Sequence, residues 1–117
     1  MRILHTADWH IGDFPGPSED GANARGCDTL RCIDAMISAA KDMEIDLSII
    51  SGDIFHASRT WSERGIREVE SAAERIRALS EIAPVVIIRG TPNHDGAEHF
   101  SMLQQYFSNN ERIHILT

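Results

Sequence analysis

Cysteine is scarce in this chain. Cys27 and Cys32 are the only two among 117 residues. They stand five positions apart inside a run of helical periodicity, so their side chains diverge and a mutual disulfide is disfavoured. They also lack the Cys-x-x-Cys spacing of a structural zinc site. Both read as reduced thiols of a cytosolic protein. Long apolar runs are missing as well. None approaches the ~20 residues of a membrane helix, and Met1-Arg2-Ile3-Leu4-His5-Thr6 leads straight into a strand-like segment without the apolar core of a signal peptide. The reading is cytoplasmic, with no membrane partner. Positive charge is in short supply: 11 Lys and Arg face 18 Asp and Glu, for a net charge of −7. That argues against a protein that coats nucleic acid with a basic surface. It leaves a nuclease open, because bound cations invert the field of clustered carboxylates. There is no internal repeat, low-complexity segment or linker, and the length suits one compact domain.

What is present is an alternation of strands and helices. Arg2 to Thr6 reads as a short strand, and the Gly-, Pro- and Ser-rich stretch from Ile11 to Gly26 as loop. Leu30, Ile33, Met36, Ile37 and Ala40 recur at helical spacing and predict a helix from about Cys27 to Met43. Asp46 to Ser51 predicts a second strand. Ile66, Val69, Ala73, Ile76 and Leu79 form the stripe of a long charged helix from about Trp61 to Ser80. Pro84 closes that region, and Val85-Val86-Ile87-Ile88 is a β-branched third strand. A shorter helix from Glu98 to Tyr106 and a fourth strand from Ile113 to Leu116 follow. The order β-α-β-α-β-α-β predicts an α/β fold with a mostly parallel sheet and right-handed crossovers.

Three of these strands end in polar clusters: Asp8-x-His10, Gly52-Asp53-x-x-His56 and Asn93-His94-Asp95. Parallel strands share one carboxyl edge, and ligands bind in the crevice there. Any one cluster would more often be a turn or a helix cap. Three in succession at strand ends point to a joint site. Carboxylate, imidazole and amide donors together suit manganese, iron or zinc better than calcium. Asp53 on a tight Gly turn is suited to bridging two cations, which at about 3.5–4 Å apart clamp a phosphodiester. His94 is then placed to stabilise phosphoryl charge or protonate the leaving oxygen.

The run Ile3-Leu4-His5-Thr6-Ala7-Asp8-Trp9-His10-Ile11-Gly12 resembles the opening motif of the SbcD-type DNA-repair nucleases, a branch of the calcineurin-like metallophosphoesterases. Gly52-Asp53-Ile54-Phe55-His56 resembles their second motif, and Asn93-His94-Asp95 their third. Trp9 and the Asp-Ile-Phe after Gly52 are the features that lean toward the nuclease branch. The resemblance implies an α/β fold, half of a calcineurin-like sandwich with flanking helices. It implies two divalent metal ions, Mn2+ first, with Zn2+, Fe2+ or Mg2+ as alternatives. Asp8 and His10 would hold one ion, Asp53 would bridge, Asn93 would hold the other, and His94 would be catalytic. The implied activity is cleavage of DNA phosphodiesters, with DNA, an SbcC-type coiled-coil ATPase and a second copy of the chain as partners. The Trp61 to Ser80 helix is the candidate dimer contact.

The motifs depart from that pattern in two places. Pro92 stands where these nucleases place Gly before the Asn, with Gly90 further upstream. A later His and a Gly-His-x-His motif do not follow. Residues 1–117 are therefore expected to be an N-terminal portion, inactive alone, with an uncovered apolar sheet face. The rival readings are a phosphatase or nucleotide phosphodiesterase, and a non-catalytic dimerisation or partner-binding module. Trp9 reads equally as site wall or core filling. His56 reads as a loop residue capping the next helix more than as a phosphate contact, and His99 and His114 as structural. Arg59, Arg64 and Arg67, interleaved with Glu, read as a solvated ion-paired face rather than as DNA contacts. The stretch from Asp13 to Arg25 reads as surface.

Overall fold

A computed structural model describes residues 1–12, 18–19, 22–57 and 63–117. Among them the elements run β1 (Ile3–Thr6), β2 (Ser18–Glu19), β3 (Ala22–Asn23), α1 (Ala24–Asp42), β4 (Leu47–Ile50), α2 (Glu63–Ile82), β5 (Val85–Ile88), α3 (Ala97–Tyr106) and β6 (Ile113–Leu116). The main sheet is wholly parallel, in the order β1-β4-β5-β6. The expected α/β architecture is present. The stretch expected as loop holds more structure than composition implied: β2 and β3 pair antiparallel, and α1 begins at Ala24.

Strand order follows chain order, so every crossover steps the same way across the sheet. Right-handed connections then place all the helices on one face. The register shows it. Ser48, Ile50, Val85, Ile87 and Ile113 are buried and share one face, where they meet Ile33 and Ala40 of α1, Val69, Ala72, Ile76 and Leu79 of α2, and Phe100 and Leu103 of α3. Ile76 and Leu79 are fully buried; each such side chain stabilises the fold by about 2 kcal/mol relative to exposure. Ile3, Ile49, Val86, Ile88 and Leu116 have the opposite parity. Ile3, Ile88 and Leu116 on that side are 51%, 42% and 55% exposed. The expectation of an uncovered apolar face is met. No helix of the described residues is long and apolar enough to cross a membrane.

The helix ends have local causes. α1 ends with Ile45 N–H donating to Ala40 O and Glu44 N–H to Lys41 O, while Glu44 is left-handed at φ 53°. That is a Schellman closure without its usual glycine, sealed by buried Ile45. α2 runs two residues past the predicted Ser80, to Ile82. Pro84 disfavours helical backbone only at the residue before it, Ala83, so the helix continues up to that point. The Arg112 guanidinium caps its end, donating from Nε to Ser80 O at 2.6 Å.

Candidate metal centre

Beyond β1 and β4 the two chains continue side by side. Ser51 N–H donates to Thr6 O, Asp8 N–H to Gly52 O, His10 N–H to Asp53 O, and Ile11 N–H to Ile54 O. An isolated parallel bridge joins Ile11 to Phe55. The ladder survives although the backbone kinks repeatedly: Asp8, His10 and Asp53 have φ of 56°, 50° and 51°, and Gly52 has 93°. Left-handed backbone costs a residue with a Cβ about 1–2 kcal/mol. Asp and His tolerate it better than most. Three of the residues singled out as ligands are thus also the ones that break the strand geometry and turn their side chains toward the sheet edge.

Strain of this kind persists only where its surroundings over-determine it. Here the anchor is Asp95, which is fully buried. Its Oδ2 accepts the N–H of Asp53 at 2.7 Å and of Gly90 at 2.7 Å. Its Oδ1 accepts the N–H of Ile54 at 2.9 Å and of Phe55 at 3.2 Å. The two loops approach so closely that a side chain at either glycine would push them apart. A Cβ on Gly52 would meet the Cα of Gly90 at 2.5 Å, and one on Gly90 would collide with Asp53 N and Oδ1. Gly90 therefore serves the second motif across the gap. Pro92 fits its place. Thr91 O accepts from His94 N–H at 3.1 Å and from Asp95 N–H at 2.7 Å, and proline is favoured at the second position of such a turn.

This scaffold brings His10, Asp53 and His94 together, with one donor atom from each lying within 4.8 Å of the others. The Asp53 carboxylate suits a cation. The Thr91 N–H holds the Asp53 carboxyl below its ordinary range, helped by the Thr91 hydroxyl and by His94 and His10, and opposed by partial burial. Asp53 Oδ1 accepts both Thr91 donors, at 2.9 and 3.1 Å. His94 Nδ1 faces the carbonyl oxygen of His56. A carbonyl only accepts, so Nδ1 is the donor in this contact and Nε2 is the nitrogen left to face the cluster. An anionic oxygen and imidazole nitrogen within this span form a donor set fit for a divalent transition metal.

The other nominated residues stand around this triad. Asp8 is exposed, with Oδ1 3.7 Å from His10 Nε2. Asn93 is exposed on the turn just before His94. The His56 ring lies 5.9 Å from that of His10 and 6.4 Å from that of His94, so it stands beside the cluster. Trp9 is buried, and its Nε1–H donates to Thr6 Oγ1 at 2.9 Å. It packs in the core and, with Asp8, Asp28 and Met36, also borders an open cavity of about 530 Å³. His99 is buried in α3, stacked on Phe55 at 4.2 Å and 3.9 Å from Glu68 Oε2. It supports the loop from below. His114 is exposed on β6. Arg67 is exposed, while Arg59, the Arg64 side chain and most of the stretch from Asp13 to Arg25 lie outside the described residues. Sequence reasoning missed Gly90 and Thr91 and left Asp95 without a role.

A one-sided parallel sheet with a histidine–carboxylate cluster at its carboxyl edge fits a metal-dependent hydrolase. The chain belongs to the calcineurin-like phosphoesterase family, whose model matches residues 1–116. Membership supports a metal-dependent phosphoesterase, in a family that typically uses a pair of metal ions.

Proposed function

We propose that this chain is the N-terminal portion of an SbcD-type nuclease and that its cluster is one part of a two-cation centre for DNA phosphodiester hydrolysis. The convergence of His10, Asp53 and His94 carries the phosphoesterase part of this reading. The Trp9 and Asp53-Ile54-Phe55 features of the motifs support the nuclease part. Divalent cations, when bound, supply the positive charge that polarises a phosphoryl group and acidifies water. Asp8 and His10 would hold one ion, Asp53 both, and Asn93 the second. Manganese suits this mixture of oxygen and nitrogen donors. The Nδ1–H of His94 is spent on the His56 carbonyl, so Nε2 is the atom that would neutralise phosphoryl charge or, once protonated, give its proton to the leaving oxygen. A coiled-coil ATPase and a second copy of the chain complete the proposed assembly, with α2 as the contact between copies.

Titration calorimetry with Mn2+ tests the centre. The reading expects weak binding, because this chain carries only part of the implied ligand set, and loss of that binding in Asp53→Ala. Identical heats for the two chains would defeat it. Hairpin DNA assayed beside a chromogenic phosphodiester, in a chain carrying the full ligand set, tests the substrate. Turnover of the small ester alone would move the proposal to a nucleotide phosphodiesterase.

A further inference from the structure

Asp95 stands just outside the N-cap of α3, one residue before the position from which an aspartate ordinarily caps the amides of its own helix. Its oxygens go elsewhere. The N-cap residue of α3 is Gly96, with no side-chain cap, while Asp95 accepts four amides belonging to Asp53, Ile54, Phe55 and Gly90. One oxygen, Oδ2, bolts the end of β4 to the end of β5. A fully buried carboxylate is costly unless it is hydrogen-bonded throughout, and here three of its four amides come from the turn on which Asp53 is left-handed. Thr91 then grips the Asp53 carboxylate itself through its N–H and hydroxyl. The backbone of Asp53 is set by one residue and its side chain by another, and neither belongs to the His10–Asp53–His94 triad.

We propose that Asp95 and Thr91 are positioning residues that fix Asp53 in its cation-binding geometry, Asp95 through the backbone and Thr91 through the carboxylate. The inference rests on the metal-centre reading. Removal of such outer partners typically lowers metal affinity on the order of 10–100-fold. Asp95→Asn keeps the shape but turns one acceptor into an NH2 group facing amide donors. Thr91→Val keeps the shape and removes only the hydroxyl donor.

The test uses Co2+ as probe. Its affinity is measured by calorimetry and its ligand field by visible absorption, below the melting temperature of each variant. Amide hydrogen exchange is followed at residues 53, 54, 55 and 90. The expected result is a folded Asp95→Asn chain with at least roughly tenfold weaker Co2+ binding, an altered spectrum, and faster exchange at those four amides than elsewhere in the sheet. Thr91→Val should show a smaller loss of affinity at an unchanged melting temperature, since Thr91 is exposed. A lower melting temperature in Asp95→Asn with Co2+ affinity and spectrum unchanged would overturn the proposal, leaving Asp95 a purely structural residue. If Asp95→Asn does not fold, Thr91→Val decides: unchanged affinity and spectrum overturn the proposal, and weaker binding upholds it. An unsubstituted chain that binds no Co2+ is a separate result, which removes the metal centre itself.

Discussion

The two ends of the sheet are built differently. At the amino ends of the strands, the helices close by contacts near in sequence, Glu44 with Lys41, Ile45 with Ala40, and Ala83 with Leu79, and distant ties from Arg2 to Met43 and Asp46 and from Arg112 to Ser80 hold ordinary backbone in place. At the carboxyl ends the decisive bonds join residues about forty positions apart: Asp53 to Asp95, Asp53 to Thr91, and His56 to His94. Among the described residues, non-glycine left-handed backbone occurs once at the first end, at Glu44, and three times at the second, at Asp8, His10 and Asp53. One end is arranged for stability. The other holds strained residues in place because side chains are needed there in unusual directions.

The contrast can be broken from either side. The largest effect is expected at Gly90. Gly90→Ala drives a methyl group into Asp53 and should cost about 2–3 kcal/mol in urea unfolding. A cost below about 0.5 kcal/mol would show that the two loops can part freely. Next is Glu44→Gly. Its left-handed backbone is satisfied by glycine without penalty, so a gain of about 1 kcal/mol is expected. The same replacement at Asp53 should bring no metal-binding benefit, because there the side chain is what the turn presents.

Acid should also separate the two ends. The Asp53 carboxyl is held below its ordinary 3.8 by Thr91. A depressed carboxyl contributes stability that is fully present above its unfolded value and is lost as pH falls through its folded value. Asp53→Asn should therefore flatten the acid limb of the stability curve below about pH 4, whereas Glu44→Gly should leave its slope unchanged. Parallel acid limbs for Asp53→Asn and the unsubstituted chain would remove Thr91's hold on the carboxyl. The smallest effect on stability is expected on the uncovered face. Ile88→Lys should change unfolding free energy by no more than about 0.5 kcal/mol. It should nonetheless reduce self-association in sedimentation, since a contiguous apolar face drives contact between copies. A chain already monomeric at high concentration would contradict that.

Legibility in the sequence follows the same division. Val85–Ile88 and Ile113–Leu116 match their predicted bounds residue for residue, because short apolar runs set between turn signals leave little choice. The convergence of His10, Asp53 and His94 was readable from topology alone, since parallel strands must share an edge. The frame that holds them was not. Asp95 accepts from backbone amides and Thr91 donates in part from its own, and an amide leaves no mark on residue type. Gly90 reads as a displaced motif glycine until its neighbour across the gap is known. The β2–β3 hairpin was hidden for another reason: two-residue strands are too short to show alternation.

The one-directional strand order has a consequence for synthesis. Each strand of the main sheet pairs with the main-sheet strand made before it, so the sheet can lengthen in chain order as the chain emerges, one βαβ crossover at a time. The Asp53 turn cannot keep that pace. Its amide has no acceptor until Asp95 is made, 42 residues later. The strands carrying His10 and Asp53 are therefore expected to assemble first, and the site to set only when the third βα unit arrives. A nascent chain halted at residue 90 should show slow amide exchange in β1 and β4, and fast exchange at Asp53.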